Sequence, residues 1–164
     1  MGVSRMDFDS RDFRSALGCF ATGIAVITAQ PADGRPVGVT VNSFSSVSLD
    51  PPLVLYCLGK ASQSFDALAT APGFAVNVLA EDQIELSVRF SRSVLQDRFA
   101  GLSITAGVTG APILDDCLAT LDCTREAVHD AGDHIVIIGR VRALTSREGR
   151  PLLYFRGAYA KLTP

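Results

Sequence analysis

The chain has 164 residues, 48% of them hydrophobic and 20% charged, with a mean hydropathy of +0.27. That length suits one domain, residues 1–164, with apolar residues enough for a full core and a surplus for a subunit interface. A net charge of −2 without a run of Lys or Arg argues against nucleic acid as a partner; no stretch is long and apolar enough for a membrane span or a signal peptide, so a cytoplasmic protein is expected.

Cys19, Cys57, Cys117 and Cys123 form no CxxC pair, and His129 and His134 are the only histidines, so no zinc spacing arises. Reduced thiols acting as small hydrophobes are expected, and no metal.

In chain order, "DSRDFRSALGCFA" sets Phe13, Leu17 and Phe20 on one helical face after an Asp9/Ser10 cap, which predicts an opening helix. "GIAVITAQ" and "RPVGVTVN" read as strands joined by the turn formers of "PADG". "PLVLYCLG" is a third strand, and "SQSFDALATA" a helix capped by Ser62 or Ser64 with Phe65 and Leu68 inward. "GFAVNVLA" is again strand, "EDQIELSVRFS" a helix with an acidic first turn, and "SVLQDRFAGL" a polar connection. The last third reads as three strands with a turn at Asp130 to Asp133. Six or seven strands in hairpin order, with helices in the connections, predict a mainly antiparallel β-barrel.

One stretch, Val37 to Cys57, is unusual for its serines. Side chains alternate along a strand, so Val37, Val39 and Val41 oppose a small polar face of Gly38, Thr40 and Asn42. The alternation breaks at Ser43 to Ser45, predicting a bend, and resumes with Val47 and Leu49 opposing Ser46 and Ser48. Such a face is either a solvated outer strand or a surface where a flat polar ligand lies against the backbone.

In order and spacing, "FATGIAVITA", "GVTVNSFSSVSLDPPLVLYCL", "SQSF", "FAVNVL", "RFS", "DRFAG", "AGDHIVIIGRV" and "LLYFRGAY" resemble the small flavin reductases that serve two-component monooxygenases. The resemblance covers nearly the whole chain. It implies a split β-barrel of the FMN-binding type, a homodimer, reduction of FMN or FAD by NADH or NADPH, and delivery of reduced flavin to a separate oxygenase. It also implies a flavin site. Thr40, Asn42, Ser43 and backbone amides would serve the ring edge, with Val41, Val47, Cys57 and Phe65 in the same site. Ser46, Ser48, Lys60 and Ser62 would serve the ribityl chain and phosphate, helped by amides at the start of the "SQSFDALA" helix. Lys60 reads equally as a solvated lysine, and Ser62 as a plain helix cap.

"GKAS" is not a phosphate-binding loop of the Walker type, because Val54 stands where its first Gly belongs and Ala61 where Ser or Thr belongs. Nothing matches GxGxxG, so the nicotinamide must stack on the flavin, and direct hydride transfer between aligned rings needs no catalytic triad. The resemblance puts His134 of the Gly-Asp-His segment on the nicotinamide side. Tyr159 either closes that pocket or is a core aromatic, while Arg89, Phe90 and Ser91 border the dimethylbenzene or phosphate end. His129 is read as structural. Two other readings share the barrel: a flavin- or haem-binding protein without reductase activity, and a pyridoxamine-phosphate-oxidase-like enzyme, which wants more basic residues than this chain supplies.

Overall fold

The computed structural model describes residues 7–92 and 97–162. All strand pairs are antiparallel. The opening helix forms as α1 (Ser10–Leu17), with Asp9 as N-cap: its carboxylate accepts from the Arg11 and Asp12 amides, and the Asp12 side chain returns the favour to the Asp9 amide. Gly18 ends the helix, so Phe20 lies beyond it, and Phe13 and Leu17 stay 53% and 57% exposed.

After the two-residue strand β1 (Thr22–Gly23), strands β2 (Ala25–Ala29) and β3 (Val37–Val41) make the expected hairpin. The expected bend follows. Strand β4 (Ser45–Leu49) turns straight into β5 (Pro52–Gly59), and α2 (Phe65–Thr70), β6 (Gly73–Val78) and α3 (Ile84–Ser91) come next. Residues 93–96 of the "SVLQDRFAGL" connection lie outside the described residues.

The last third holds four strands rather than the expected three, and a short strand pair precedes it. Two short strands, β7 (Ile104–Ala106) and β8 (Pro112–Leu114), pair with each other. The long hairpin β9 (Ala119–Ala131) and β10 (His134–Ser146) turns at Gly132 and Asp133. "LLYFRGAYA" is itself a hairpin, β11 (Leu153–Phe155) and β12 (Ala158–Ala160), because Arg156 and Gly157 both have positive φ. Strand pieces this short carry too few residues for periodicity to register.

Seven strands form the main sheet in the order β3-β2-β6-β9-β10-β5-β4. Its two edges, β3 and β4, are neighbours in sequence. The short link from Val41 to Ser45 reaches at most roughly 14 Å, so the sheet must curl until its edges face each other. The edges do not hydrogen-bond into a closed ring.

Inside the curl lies one apolar cluster, including Ile27, Val41, Tyr56, Leu58, Phe74 and Ile137. Val37 and Val39 pack against it, so the valine face of the alternation is the inner one. A second cluster on the far side of β2 gathers Ile24, Val26, Leu79, Phe90, Phe99 and Leu152. β2 is therefore buried on both faces. Each of these large side chains contributes about 1.5–3 kcal/mol by leaving water. The buried Asn77 amide donates to Val26 O and Thr28 Oγ1, both at 3.0 Å, and accepts from the Leu114 amide at 2.9 Å, which pins β8 to β6 without an unpaired polar atom.

Candidate functional site

The polar face of β3 is not open as the alternation suggested. Helix α3 covers it: a Cβ on Gly38 would stand 2.6 Å from the Phe90 ring, and the Thr40 hydroxyl donates to Ser87 O at 2.6 Å. Smallness at Gly38 admits a helix there, not a ligand. Phe90 is accordingly fully buried, edge-on to Phe99 at 5.0 Å, and supports the strand from beneath.

Open space begins where the helix ends. A cavity of about 280 Å³ is lined by Thr40 and Val41 of β3, the next residue Asn42, Ser87 and Ser91 of α3, Ile24, and Tyr154 and Tyr159 of the β11–β12 hairpin. The two tyrosines are cross-strand partners, with ring centroids 5.8 Å apart at 72°. Ser87 is completely buried, and its hydroxyl meets the Tyr159 hydroxyl at 2.9 Å. One serine thus holds both strand and hairpin, through its carbonyl to Thr40 and its side chain to Tyr159. Because β3 is an edge strand, alternate backbone amides point away from the sheet.

Ser43 has a different task from ring recognition. Its hydroxyl accepts from the Cys57 amide at 3.0 Å and donates to the Cys57 carbonyl at 3.2 Å. A hydroxyl has one proton, so Ser43 has none left for a ligand. It acts as a missing strand partner: β4 pairs with β5 only up to Leu55, and Ser43 carries the ladder two residues further. This bridge ties the Asn42 end of the cavity to β5.

Two residues on, Gly59 stands opposite His134 in the β5–β10 register, so the His134 and Cys57 side chains share the outer face of the sheet. The imidazole lies beside Gly59, its Nε2 3.5 Å from where a Cβ would stand, an ordinary contact distance. His134 Nδ1 meets Asp133 Oδ1 at 2.7 Å, and the side chain is 48% exposed. The hydrogen bond from His134, then its charge, hold the Asp133 carboxyl below the usual carboxylate range.

Lys60 is committed to the hairpin turn. Its ammonium pairs with Asp130 and donates to Gly132 O at 2.7 Å, leaving one of its three donors free. Ser62 Oγ accepts from the Ser64 amide at 3.3 Å. The cap position of α2 is Ser64, whose side chain makes no capping bond, and the helix has only six residues, so its dipole is small. Phe65 packs against the inner core, with Leu68 buried beside it.

Ser46, Val47 and Ser48 line the outer edge of β4, and a bulge at Val47 changes their faces. Ser46 pairs with Val54 and Ser48 with Leu53, adjacent residues on opposite faces of β5, so the two serines do not form the common face that strict alternation implies. Arg89 points elsewhere: its guanidinium donates to Ala100 O and lines a separate cleft beside Gly101 and Asp115. Ser91 borders the cavity, with its hydroxyl donating to Val88 O at 2.8 Å.

The structure therefore gathers Thr40, Val41, Asn42, Ser91 and Tyr159 around the cavity, sets His134 on the outer face of the sheet with Cys57, and leaves Ser43, Ser46, Val47, Ser48, Cys57, Lys60, Ser62, Phe65, Arg89, Phe90 and His134 out of the cavity lining. Sequence reasoning missed Ile24, Ser87 and Tyr154. The spacing of Ser87 and Ser91, one helical turn apart, carried a signal; Tyr154 had none, since only the hairpin register sets it against Tyr159. Among the described residues no cluster of three or more potential metal ligands occurs, and no helix is long and apolar enough to cross a membrane.

The fold and site define a mainly antiparallel β protein with a small hydroxyl- and tyrosine-lined cavity at the free end of an edge strand. The chain belongs to the flavin reductase like domain family, whose model matches residues 17–163. It is 48% identical over 163 residues to the flavin-dependent monooxygenase, reductase subunit HsaB, of Rhodococcus jostii, covering 99% of this chain and 83% of that protein. It is 47% identical over 152 residues to a probable flavin reductase of Rhizobium meliloti, covering 93% of this chain but only 49% of that relative. The chain thus spans about half of that relative's length. The solved NADH:FAD oxidoreductase SgcE6 of Streptomyces globisporus, in complex with NAD and FAD fragments, superposes with a TM-score of 0.89 at 34% identity, over 95% of this chain and 94% of that one.

Proposed function

We propose that this chain is an NAD(P)H-dependent flavin reductase that passes reduced FMN or FAD to a flavin-dependent monooxygenase. The observation that carries the reading is the cavity at the end of β3, where edge-strand amides, Asn42 and a tyrosine pair meet. These residues fit a flavin: aromatic rings offer a wall for a flat heterocycle, and edge-strand amides and Asn42 offer donors for its carbonyl and nitrogen edge. When bound, the flavin supplies the hydride acceptor.

Each residue then has a task set by its bonds. Asn42 is the free amide for the ring edge, and Thr40, whose proton goes to Ser87, offers a lone pair only. Ser46, Ser48, Ser62 and the free donor of Lys60 serve the ribityl and phosphate end. His134 faces the nicotinamide. With Nδ1–H given to Asp133, a neutral imidazole presents Nε2 as an acceptor, suited to a carboxamide N–H, and becomes a donor only when protonated.

The chain forms one domain, since both apolar clusters share β2, and the curled sheet with Ser43 spanning its open seam is read as a split barrel. Phe13, Leu17, Phe20 and Leu49, between 53% and 94% exposed, supply an apolar surface for a homodimer, which needs more than about 1,200 Å² in total. The test is flavin-dependent NADH and NADPH oxidation by purified protein, alongside flavin titration followed by its visible spectrum. Absence of both binding and turnover at micromolar FMN and FAD would sink the reading; a fully active dilute monomer by light scattering would remove the dimer.

A further inference from the structure

Of the fourteen Lys and Arg residues described, eight place their side-chain nitrogens on an acceptor within the chain. Among the described residues, Arg11, Arg14 and Arg156 are three of the six that do not, yet all three line one cleft of about 500 Å³. No Asp or Glu among the described residues lines that cleft. Arg156 also lies over the Phe155 ring at 5.3 Å and Arg14 sits in the last turn of α1, yet neither contact is an anion, so the three like charges facing one cleft favour an anionic ligand there.

The cleft is also built, not incidental. Arg156 occupies the first position of the two-residue β11–β12 turn at φ 48°, followed by Gly157 at φ 80°. Glycine or asparagine suits that left-handed position, and an arginine there is strained. The Arg156 amide donates to Gly18 O at 2.9 Å, and a Cβ on Gly18 would come within 3.3 Å of the Arg156 Cα, so the glycine cap of α1 lets the turn dock on the helix end that carries Arg14. On the other side of the turn, two residues from Gly157, stands Tyr159 of the ring cavity.

We propose that Arg11, Arg14 and Arg156 form a phosphate-binding site for a dinucleotide whose ring system is held near Tyr159. The proposal rests on the reductase reading for the identity of that ligand, but the anion site itself does not. Guanidinium forks match phosphate oxygens bidentately, and FAD and NAD(P)H carry a pyrophosphate that FMN lacks.

The experiment has two arms. Calorimetric titration of the full chain with inorganic pyrophosphate should show binding that weakens about tenfold in Arg156→Gln and more in the Arg11→Gln/Arg14→Gln/Arg156→Gln variant. Arg156→Gly keeps the test independent of misfolding: it relieves the left-handed strain, so it should raise the melting temperature while weakening pyrophosphate binding. The second arm measures FAD against FMN affinity and the KM for NADPH and NADH. A selective loss with FAD assigns the site to the flavin dinucleotide, and a rise in KM for the pyridine nucleotides assigns it to them. Pyrophosphate binding that is absent, or indifferent to all three arginines, overturns the site. Pyrophosphate binding lost in the variants while all dinucleotide constants stand still overturns the dinucleotide assignment. If the parent binds pyrophosphate but reduces no flavin, the reductase reading fails and the anion site stands.

Discussion

Replacing Ser43 by alanine should separate holding the sheet from holding a ligand. The substitution deletes two hydrogen bonds, at 3.0 and 3.2 Å, and leaves the Cys57 amide and carbonyl without their partner at the seam between β3 and β5. Each such bond contributes about 0.5–1.5 kcal/mol net, and the site is half-buried, so water restores part of the loss; about 2 kcal/mol is expected. For a chain of this size that lowers the melting temperature by roughly 4–8 °C. Urea unfolding followed by far-ultraviolet circular dichroism should show a lower midpoint at unchanged slope, because the surface exposed on unfolding is the same. Ser43→Thr keeps the hydroxyl and should recover most of the stability. Flavin affinity should fall in Ser43→Ala through Asn42, which loses its anchored neighbour, and return in Ser43→Thr. A Ser43→Ala protein as stable as the parent, or one that threonine does not rescue, would refute the bridge and return Ser43 to the ligand.

Gly38→Ala should push α3 off β3, because the new methyl stands 2.6 Å from the Phe90 ring; a loss of about 1–3 kcal/mol with weaker flavin binding is expected. A second substitution, Phe90→Leu, should restore part of that stability in thermal melts, and no recovery would mean the methyl acts elsewhere. His134→Ala should lower the efficiency of flavin reduction roughly tenfold while flavin affinity stays within about twofold, as read by stopped-flow with saturating flavin. Reduction that survives the change would leave His134 as the first residue of a strand. Burial pushes the Cys117 thiol up to about 11 and the Cys123 thiol to about 12, whereas Cys19 is exposed. Brief alkylation at pH 8 should therefore label Cys19 in the native protein and reach Cys117 and Cys123 only on unfolding, and mass spectrometry finding all three labelled at one rate would contradict that burial.

The local elements were largely legible in the sequence because their causes are local. Asp9 and Asp12 cap α1 by their own side chains, the valines of β3 alternate at the period of a strand, and "PADG" turns a hairpin wherever it stands. The sequence also named Thr40, Asn42 and Tyr159, the first two from the odd polarity of their strand, the third only through the family resemblance. What each does was decided by contacts between residues far apart in the chain. Gly38 and Thr40 read as an open polar face until α3, about fifty residues later, covered them. Ser43 read as a ligand donor until Cys57 took its proton, and Lys60 as a free cation until Asp130 paired with it. The bulge at Val47 moved two serines off a common face by a register shift that no single strand records. Alternation along one strand fixes which side chains share a face, but a hydroxyl's single proton and a lysine's charge go to the nearest acceptor in space, and only the folded chain determines which residue that is.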